Sequence, residues 1–217
     1  MHCPVCSSEN KIYGTGTVLN KYTISYFRCP NCGFINTEEP YWLDEAYNKE
    51  VPDNQEGRAK RNIPIATSLI KQKLNPNGRY LDYGCAKNAF FVKAMRDKGF
   101  NCIGYDKYEK VIDEYYGKLS GQFEMITSWE VFEHIPNPKE VINELLSYTD
   151  TIVIGTQRIK LDDPPKLTWP YFSRLSGRHI SFYTIESFCI ISKEFNLKIQ
   201  TNDTGGYDRV ILHKEKN

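Results

Sequence analysis

Short apolar runs alternate with amphipathic stretches along the C-terminal two thirds of the chain. The apolar runs are short and rich in β-branched or aromatic residues, which indicates buried strands. The predicted strands are 79–82, 101–105, 123–129 and 151–155, followed by an antiparallel pair at 195–201 and 207–213. The predicted helices, each with one apolar face, are 89–98, 138–148 and a segment capped by Thr184 that runs to about Ser192. This alternation predicts an α/β fold whose mainly parallel sheet is covered by helices on both faces.

The first 75 residues follow a different pattern. Residues 12–27 are rich in Tyr, Thr, Val, Ile and Phe and predict two or three short strands, whereas 41–75 predict mostly helix. Pro64 is placed at the start of a helix that runs to Leu74. A Pro- and aromatic-rich insertion occupies 156–183. We therefore expect three units, which are 1–37, a helical connector at 38–75 and a larger domain at 76–217.

The composition is that of a soluble globular protein. The 217 residues are 40% hydrophobic and 25% charged, with a net charge of +1, so no global field favours nucleic acid or membrane. No apolar stretch approaches the ~20 residues that span a bilayer. The N-terminus does not resemble a signal peptide, and we expect a cytoplasmic protein whose cysteines are reduced or metal-bound.

Four of the seven cysteines form two Cys-x-x-Cys knuckles. Two such knuckles supply four thiolates in the arrangement that a closed, structural Zn²⁺ site requires. The predicted ligands are Cys3, Cys6, Cys29 and Cys32. Disulfides and a redox dithiol are the alternatives. The resulting zinc ribbon would bind a partner or nucleic acid, cover a substrate cleft, or simply fasten the N-terminus, because a unit of ~35 residues needs a metal to fold.

Residues 79–106 predict a strand, a tight turn, a helix and a second strand. The first strand ends in Asp82-Tyr83-Gly84, and the second ends in Asp106. A tight turn brings the backbone close to a ligand, and a carboxylate at the next strand end holds a ribose. This unit predicts a nucleoside-binding site.

Three segments resemble class I S-adenosylmethionine-dependent methyltransferases. They are the turn at 81–86, the acidic strand end at 104–106, and 123–138, which is similar to the family's FDxIxxxxVxEHxxxP signature. The segment 179–184 further resembles a branch that methylates small molecules, some members of which carry an N-terminal zinc ribbon. The resemblance covers about residues 60–213. It implies a doubly wound, Rossmann-like seven-stranded sheet of order 3-2-1-4-5-7-6, with the seventh strand antiparallel.

The resemblance implies a set of S-adenosylmethionine-binding residues at the strand ends. They are Asp82, Gly84, Ala86, Asn88, Asp106, Ser128, Trp129 and Glu130. The turn departs from the family's Gly-x-Gly-x-Gly at two positions. Ala86 fits if its φ is negative, and Asn88 is among the non-glycine residues that best tolerate a positive φ.

The segment between the second and fourth predicted strands is short. Only the 16 residues 107–122 are available where the family places a helix and a third strand. Neither Asp113 nor Glu114 is a good candidate for the acid that often contacts adenine in the family. Adenine would then be held mostly by stacking and apolar contacts.

His134 and His179 are the candidate catalytic residues. Methyl transfer needs a nucleophile in line with the sulfonium carbon and often a base, and histidine titrates near neutral pH. For His134, helix capping or hydrogen bonding with Glu133 is an alternative role. Aromatic residues of the insertion would line a substrate wall or simply pack, and Arg174 and Arg178 would hold an anionic group or remain solvated.

The sequence therefore predicts an S-adenosylmethionine-dependent methyltransferase acting on a small molecule such as a sugar, nucleotide-sugar or other metabolite. Two alternatives stay open. One is a nucleic-acid methyltransferase that uses the ribbon to bind its substrate, which the near-neutral charge disfavours. The other is a binding module that kept the fold and lost the cofactor. The sequence does not identify the acceptor atom or the oligomeric state.

Overall fold

The computed structural model describes residues 1–48, 54–108, 114–202 and 208–215. The strands in these ranges are β1 (Lys11–Val18), β2 (Tyr22–Arg28), β3 (Ile35–Thr37), β4 (Arg79–Tyr83), β5 (Asn101–Tyr105), β6 (Met125–Trp129), β7 (Thr151–Gly155), β8 (Ser181–Phe182), β9 (Leu197–Asn202) and β10 (Arg209–Lys214). The α-helices are α1 (Leu43–Asn48), α2 (Gln55–Lys73), α3 (Phe90–Arg96), α4 (Pro138–Leu146) and α5 (Ile185–Glu194). None of these helices combines the length and the apolar character needed to cross a bilayer.

The larger sheet has six strands in the order β5-β4-β6-β7-β10-β9. The first four are parallel, and β10 runs antiparallel to both of its neighbours. This order reproduces 2-1-4-5-7-6 of the predicted sheet, so the described residues form six of the seven strands expected. At the edge where the third strand was expected, Tyr116 makes a single parallel bridge to Gly104. Residues 109–113 of the 16-residue segment 107–122 lie outside the described ranges.

Helices cover both faces of this sheet, as the alternating pattern predicted. On one face, Ile63 and Ile70 of α2 and Phe91 of α3 pack against strand residues such as Tyr80. On the other face, α4 and α5 bury Leu145, Phe188 and their apolar neighbours against the alternate strand positions. Each such side chain contributes roughly 1.5–3 kcal/mol when it leaves water. The Thr184 side chain accepts from the Ser187 N–H within a capping box, which confirms the predicted start of α5.

Helix α2 begins nine residues before the predicted start, and Pro64 lies in its interior. The Asn54 side chain accepts from the Gly57 N–H at 3.0 Å and caps the helix there. An interior proline removes one backbone hydrogen bond and costs ~3 kcal/mol. Ile63 and Ile70, before and after the proline, pack into the same core cluster, and Pro64 itself is exposed. Burial on both sides of the proline outweighs its cost, so the prediction that Pro64 starts the helix was wrong.

A second sheet joins the N-terminal strands to the insertion. Its order is β1-β2-β3-β8, and all its pairs are antiparallel. The contributing strand β8 belongs to the insertion that follows β7. The Thr184 hydroxyl donates to the Cys32 carbonyl, and the Phe34 and Tyr183 rings pack at 5.0 Å. Residues from the first and the last of the three predicted units therefore share one sheet.

Aromatic packing fixes the rest of the insertion over this second sheet. Phe172 and Phe182 are fully buried with their ring centroids 4.5 Å apart, and Tyr26 of β2 packs edge-on against Phe172. Trp42, which is also buried, donates its indole N–H to the Gly177 carbonyl at 2.7 Å. The insertion is a packed layer that both sheets support.

Asp82 predicts a pH-dependent stability. Its side chain is 4% exposed in the middle of the sheet, and burial raises its pKa to about 7 although the Thr127 hydroxyl donates to it at 2.7 Å. The unfolded-state pKa is about 4. Ionisation of Asp82 therefore opposes folding, and this cost grows as pH rises from about 4 to about 7. Relative to wild type, Asp82→Asn should gain on the order of 4 kcal/mol of unfolding free energy between about pH 4 and pH 8.

Urea unfolding at a series of pH values measures this gain. The exposed Asp97→Asn is the matched control, and its curve should run parallel to that of wild type. A difference between Asp82→Asn and wild type that stays constant with pH would show that Asp82 is ionised without cost in the folded protein.

Candidate active site

A cavity of about 970 Å³ opens at the carboxyl ends of the parallel strands. Its floor is formed by residues that directly follow or end β4, β5 and β6. Its walls come from the helical connector and from the insertion. The lining residues include Tyr47, Gln55, Arg58, Gly84, Ala86, Asp106, Trp129, Glu130, His134, Tyr171, Arg178 and His179.

The turn after β4 approaches the cavity with its backbone. Gly84 has a φ of +77°, and a Cβ there would lie 2.4 Å from Val131 Cγ2. Only glycine fits this position. Ala86 also has a positive φ, of +54°, so the condition of a negative φ, under which alanine was expected to fit, is not met. The Ala86 N–H donates to Asp106 Oδ2 at 3.0 Å, and its carbonyl accepts from the Tyr116 hydroxyl. These two bonds offset the strain of a left-handed alanine.

Asp106 is held in place at the end of β5. Its Oδ2 accepts from the Ala86 N–H, and its Oδ1 accepts from the Tyr108 N–H at 2.9 Å. Each carboxylate oxygen has two lone pairs, and a carboxylate can therefore accept more than two hydrogen bonds. Asp106 lines the cavity. A fixed carboxylate at this strand end can accept hydrogen bonds from a ribose.

The end of β6 presents an indole and a carboxyl group to the cavity. Trp129 is 8% exposed, and its indole N–H has no hydrogen-bond partner among the described residues. Glu130 follows with a φ of +56°, and its Oε1 lies 4.0 Å from Arg61 Nη2. Burial, and then the charge of Glu133, raise the pKa of Glu130 to about 8. A cationic ligand at this position would favour the ionised form of Glu130.

Three of the predicted cofactor residues are not among the residues that line the cavity. Asp82 is buried in β4 and Ser128 is fully buried in β6. Asn88 is exposed in the turn. Asp113, the acid weighed for adenine contact, lies outside the described residues.

The two predicted catalytic histidines, 45 positions apart, meet at the cavity. Their ring centroids are 4.9 Å apart in an edge-to-face arrangement. Each ring donates its Nδ1–H to a backbone carbonyl of the insertion, His134 to Arg178 at 3.0 Å and His179 to Tyr171 at 2.7 Å. We assign this tautomer because a carbonyl can only accept. Nε2 is then the acceptor nitrogen of each neutral ring. Burial lowers the pKa of His179 to about 4, so its ring is neutral at pH 7.

Glu133 makes contacts that the sequence analysis did not predict. It is fully buried, and its carboxylate accepts from the Tyr171 hydroxyl at 2.8 Å and from the Thr156 hydroxyl at 2.9 Å. The Nδ1–H of His134 donates to the Arg178 carbonyl, whereas the sequence analysis weighed Glu133 as an alternative partner of His134. An acid beside a histidine after a buried strand was the only signal available, and it does not identify partners that lie far along the chain.

Residues of the connector complete the cavity wall. The Arg178 guanidinium lies 5.0 Å from the centroid of the Tyr47 ring, and its Nε donates to the Ala46 carbonyl. Tyr47 also stacks on Tyr108 at 5.0 Å. No sequence motif marks Tyr47, Gln55 or Arg58, because the three-dimensional position of α1 and the start of α2 brings them to the cavity.

The four knuckle cysteines converge at a second location. Their Sγ atoms all lie within 4.8 Å of one another. The Cys3–Cys32 pair is 3.7 Å apart and the Cys6–Cys29 pair 3.3 Å apart. These distances are far longer than a disulfide bond of ~2.05 Å.

Comparison with known proteins identifies the larger domain. A family model for a methyltransferase domain matches residues 55–202. Among curated proteins, a ubiquinone biosynthesis O-methyltransferase from Bordetella avium is 25% identical over 158 residues, which cover 63% of this chain and 57% of the relative. The chain thus spans less than two thirds of the length of the curated relatives that it matches.

Solved methyltransferase structures share the fold. Magnesium protoporphyrin IX methyltransferase from Synechocystis PCC 6803, with bound SAM, superposes with a TM-score of 0.52 at 14% identity, covering 80% of this chain and 89% of that one. Human N-acetylserotonin methyltransferase in complex with SAM gives a TM-score of 0.51 at 11% identity, covering 82% and 60%. At these identities the likeness shows the fold alone. The match of the family model to most of the chain shows the family: the chain belongs to the methyltransferase domain family.

Proposed function

We propose that the protein is an S-adenosylmethionine-dependent methyltransferase that acts on a small molecule. One observation carries this proposal. The glycine turn, Asp106 and the end of β6 face a single cavity that also holds two histidines from other parts of the chain. At about 970 Å³ the cavity is at the upper end of the range for small-molecule sites, with room for a cofactor and an acceptor.

The residues present fit the cofactor. Asp106, already fixed by two backbone amides, would accept from the ribose hydroxyls. The cavity above the Gly84 turn leaves space for the methionine part to lie over the strand ends. Trp129 and Glu130 lie next to that space and would contact the region of the sulfonium. Asp82, Asn88 and Ser128 were also predicted to bind the cofactor. They would not contact it, and would only help to shape the strands and the turn that do.

Positioning is the main contribution of the protein to the proposed reaction. S-adenosylmethionine supplies an activated methyl group when it is bound. The neutral ring of His179 offers Nε2 as an acceptor for the hydroxyl of the substrate. This bond would orient the oxygen, and Nε2 would take up its proton when the methyl group is transferred. A ring whose pKa is about 4 is a weak base, so orientation matters more here than basicity. His134, packed against His179, would hold the same hydroxyl or its neighbour.

The chemistry of the walls supports a small, ring-bearing acceptor. Tyr47, Tyr171 and the two histidines line the cavity, and Arg178 lies beside Tyr47. The names of two similar proteins, which act in ubiquinone biosynthesis and on N-acetylserotonin, are those of small-molecule methyltransferases. A nucleic-acid substrate has no comparable support, because the chain carries a net charge of +1. The large open cavity at these strand ends also disfavours a binding module that has lost the cofactor.

Asp106→Asn tests the cofactor site. The variant loses the charge that would accept from the ribose while keeping an acceptor for one of the two amides. A hydrogen bond to a charged group contributes ~1.5–3 kcal/mol, so the affinity for S-adenosylmethionine should fall ~10–100-fold in calorimetry.

Asp44→Asn is the matched control for this experiment. Asp44 is another carboxylate on the cavity wall, but it belongs to α1 and is exposed. Its substitution should change the affinity less than about twofold, well under 1 kcal/mol. Equal affinities of Asp106→Asn and Asp44→Asn would remove Asp106 from the site, and wild-type protein that gives no heat at millimolar S-adenosylmethionine would contradict the proposed function.

We also propose that the four knuckle cysteines bind structural Zn²⁺. Four thiolates at Zn–S distances of ~2.3 Å in a tetrahedron have sulfur atoms ~3.8 Å apart. The observed Cys3–Cys32 separation of 3.7 Å and Cys6–Cys29 separation of 3.3 Å need little adjustment to reach that geometry. A site with four protein ligands leaves no open position for chemistry. Such a site also agrees with the reducing cytoplasm predicted from the sequence.

Cys29→Ser should remove the metal from this site. We expect metal analysis of the purified protein to find one zinc per chain in wild type and none in this variant. Because β3 follows this knuckle and pairs with β8 of the insertion, loss of the metal should also lower the melting temperature of the protein. Cys189→Ser, a cysteine outside the cluster, should keep its zinc and its melting temperature. Wild-type protein purified without zinc, or zinc retained by Cys29→Ser, would contradict the site.

A further inference from the structure

Glu133 is a buried carboxylate that the reaction described above does not use. It is 0% exposed and is not among the residues that line the cavity, so it cannot touch a substrate. A buried carboxylate is costly unless strong donors satisfy it. Two hydroxyls, from Thr156 and Tyr171, each donate to one of its oxygens. Such a satisfied polar network fixes the groups that take part in it.

Tyr171 is held at both of its ends. Its hydroxyl donates to Glu133, lies 3.0 Å from the Thr156 hydroxyl, and accepts from the Gln157 N–H at 3.0 Å. Its backbone carbonyl accepts the Nδ1–H of His179 at 2.7 Å. The rings of Tyr171 and His179 are in edge-to-face contact at 4.7 Å. Tyr171 therefore links the Glu133 carboxylate to the His179 ring.

The backbone of Glu133 fixes the other side of the same histidine. Its carbonyl accepts from the N–H of Ile180, the residue after His179, at 2.8 Å. The Ser181 hydroxyl donates to the Ile135 carbonyl at 2.6 Å. The 3₁₀ helix Phe132–His134, which carries Glu133, thus contacts the insertion before His179 through Tyr171 and after it through Ile180.

We propose that Glu133 is a positioning residue that acts through Tyr171 to keep His179 in its Nδ1–H tautomer, with Nε2 as the acceptor for the substrate hydroxyl. The hydrogen bonds of the two ring nitrogens decide which of them carries the proton. Here that bond ends on the carbonyl of a tyrosine whose hydroxyl is anchored by a buried carboxylate. The catalytic assignment of His179 rests on the proposed function, whereas its tautomer and its dependence on Glu133 do not.

Tyr171→Phe and Glu133→Gln test the proposal. The first removes only the anchoring hydroxyl, and the second removes the charge that receives it. Tyr183→Phe is the control, because Tyr183 is a fully buried tyrosine whose hydroxyl donates to the Phe132 carbonyl and takes no part in the contacts that join Glu133, Tyr171 and His179. If Glu133→Gln does not fold, Tyr171→Phe alone still tests the proposal.

The first measurement is nitrogen-15 NMR of the four histidine rings, which needs no acceptor substrate. Wild type should show His179 protonated at Nδ1. Tyr171→Phe and Glu133→Gln should shift it toward a mixture of tautomers, while His134, bonded to a different carbonyl, stays unchanged and serves as an internal reference. Tyr183→Phe should leave both rings as in wild type.

The second measurement separates positioning from general stability. With S-adenosylmethionine and a panel of phenols as acceptors, Tyr171→Phe should lower kcat by ~10–100-fold, within the range that a positioned proton acceptor contributes. The Kd for S-adenosylmethionine should stay within about twofold, since it depends on the turn and on Asp106. Tyr183→Phe should keep both values.

Two results would overturn the proposal. One is a wild-type His179 protonated at Nε2, and the other is a His179 tautomer that Tyr171→Phe and Tyr183→Phe leave equally unchanged. If the tautomer shifts as expected but wild type methylates none of the acceptors, the positioning role of Glu133 is supported and it is the proposed function that fails.

Discussion

The parallel register of three neighbouring strands is the constraint on which the site depends. Asp82 of β4 is aligned with Gly104 of β5 on one side and with Thr127 of β6 on the other. Because the strands are parallel and in register, the segments that follow them leave the sheet at its carboxyl edge and lie close together. A slip by one residue would turn the buried faces of these strands toward the wrong layer. The floor of the cavity is therefore a consequence of the core packing.

The wall of the cavity that faces the acceptor depends on a second sheet. Strand β8, which begins two residues after His179, pairs with β3, whose other neighbour is β2 of the cysteine-containing unit. Glu133 joins this layer to the end of β6 through its carboxylate and its carbonyl. The cofactor half and the acceptor half of the proposed site are thus built on different sheets. Substitutions in one half should leave the binding properties of the other largely intact.

The sequence predicted the elements better than the details of the turn. The strands at 101–105 and 151–155 and the sheet order of the six described strands are confirmed, because short apolar runs between amphipathic helices allow few arrangements. Pro64 was misplaced because tertiary packing outweighs a local propensity. The positive φ of Ala86 follows from its bond to Asp106, twenty residues away, and the link from Glu133 through Tyr171 to His179 is likewise non-local. No local pattern encodes such contacts.

The most direct test of this account is a crystal structure of the protein with S-adenosylhomocysteine. The account predicts that the nucleoside lies in the cavity at the carboxyl ends of β4, β5 and β6, with its ribose hydroxyls within hydrogen-bonding distance of Asp106 and its sulfur on the side of Trp129 and the histidines. A nucleoside bound elsewhere, or a cavity that stays empty at saturating ligand, would contradict the central claim that these strand ends form a methyltransferase site.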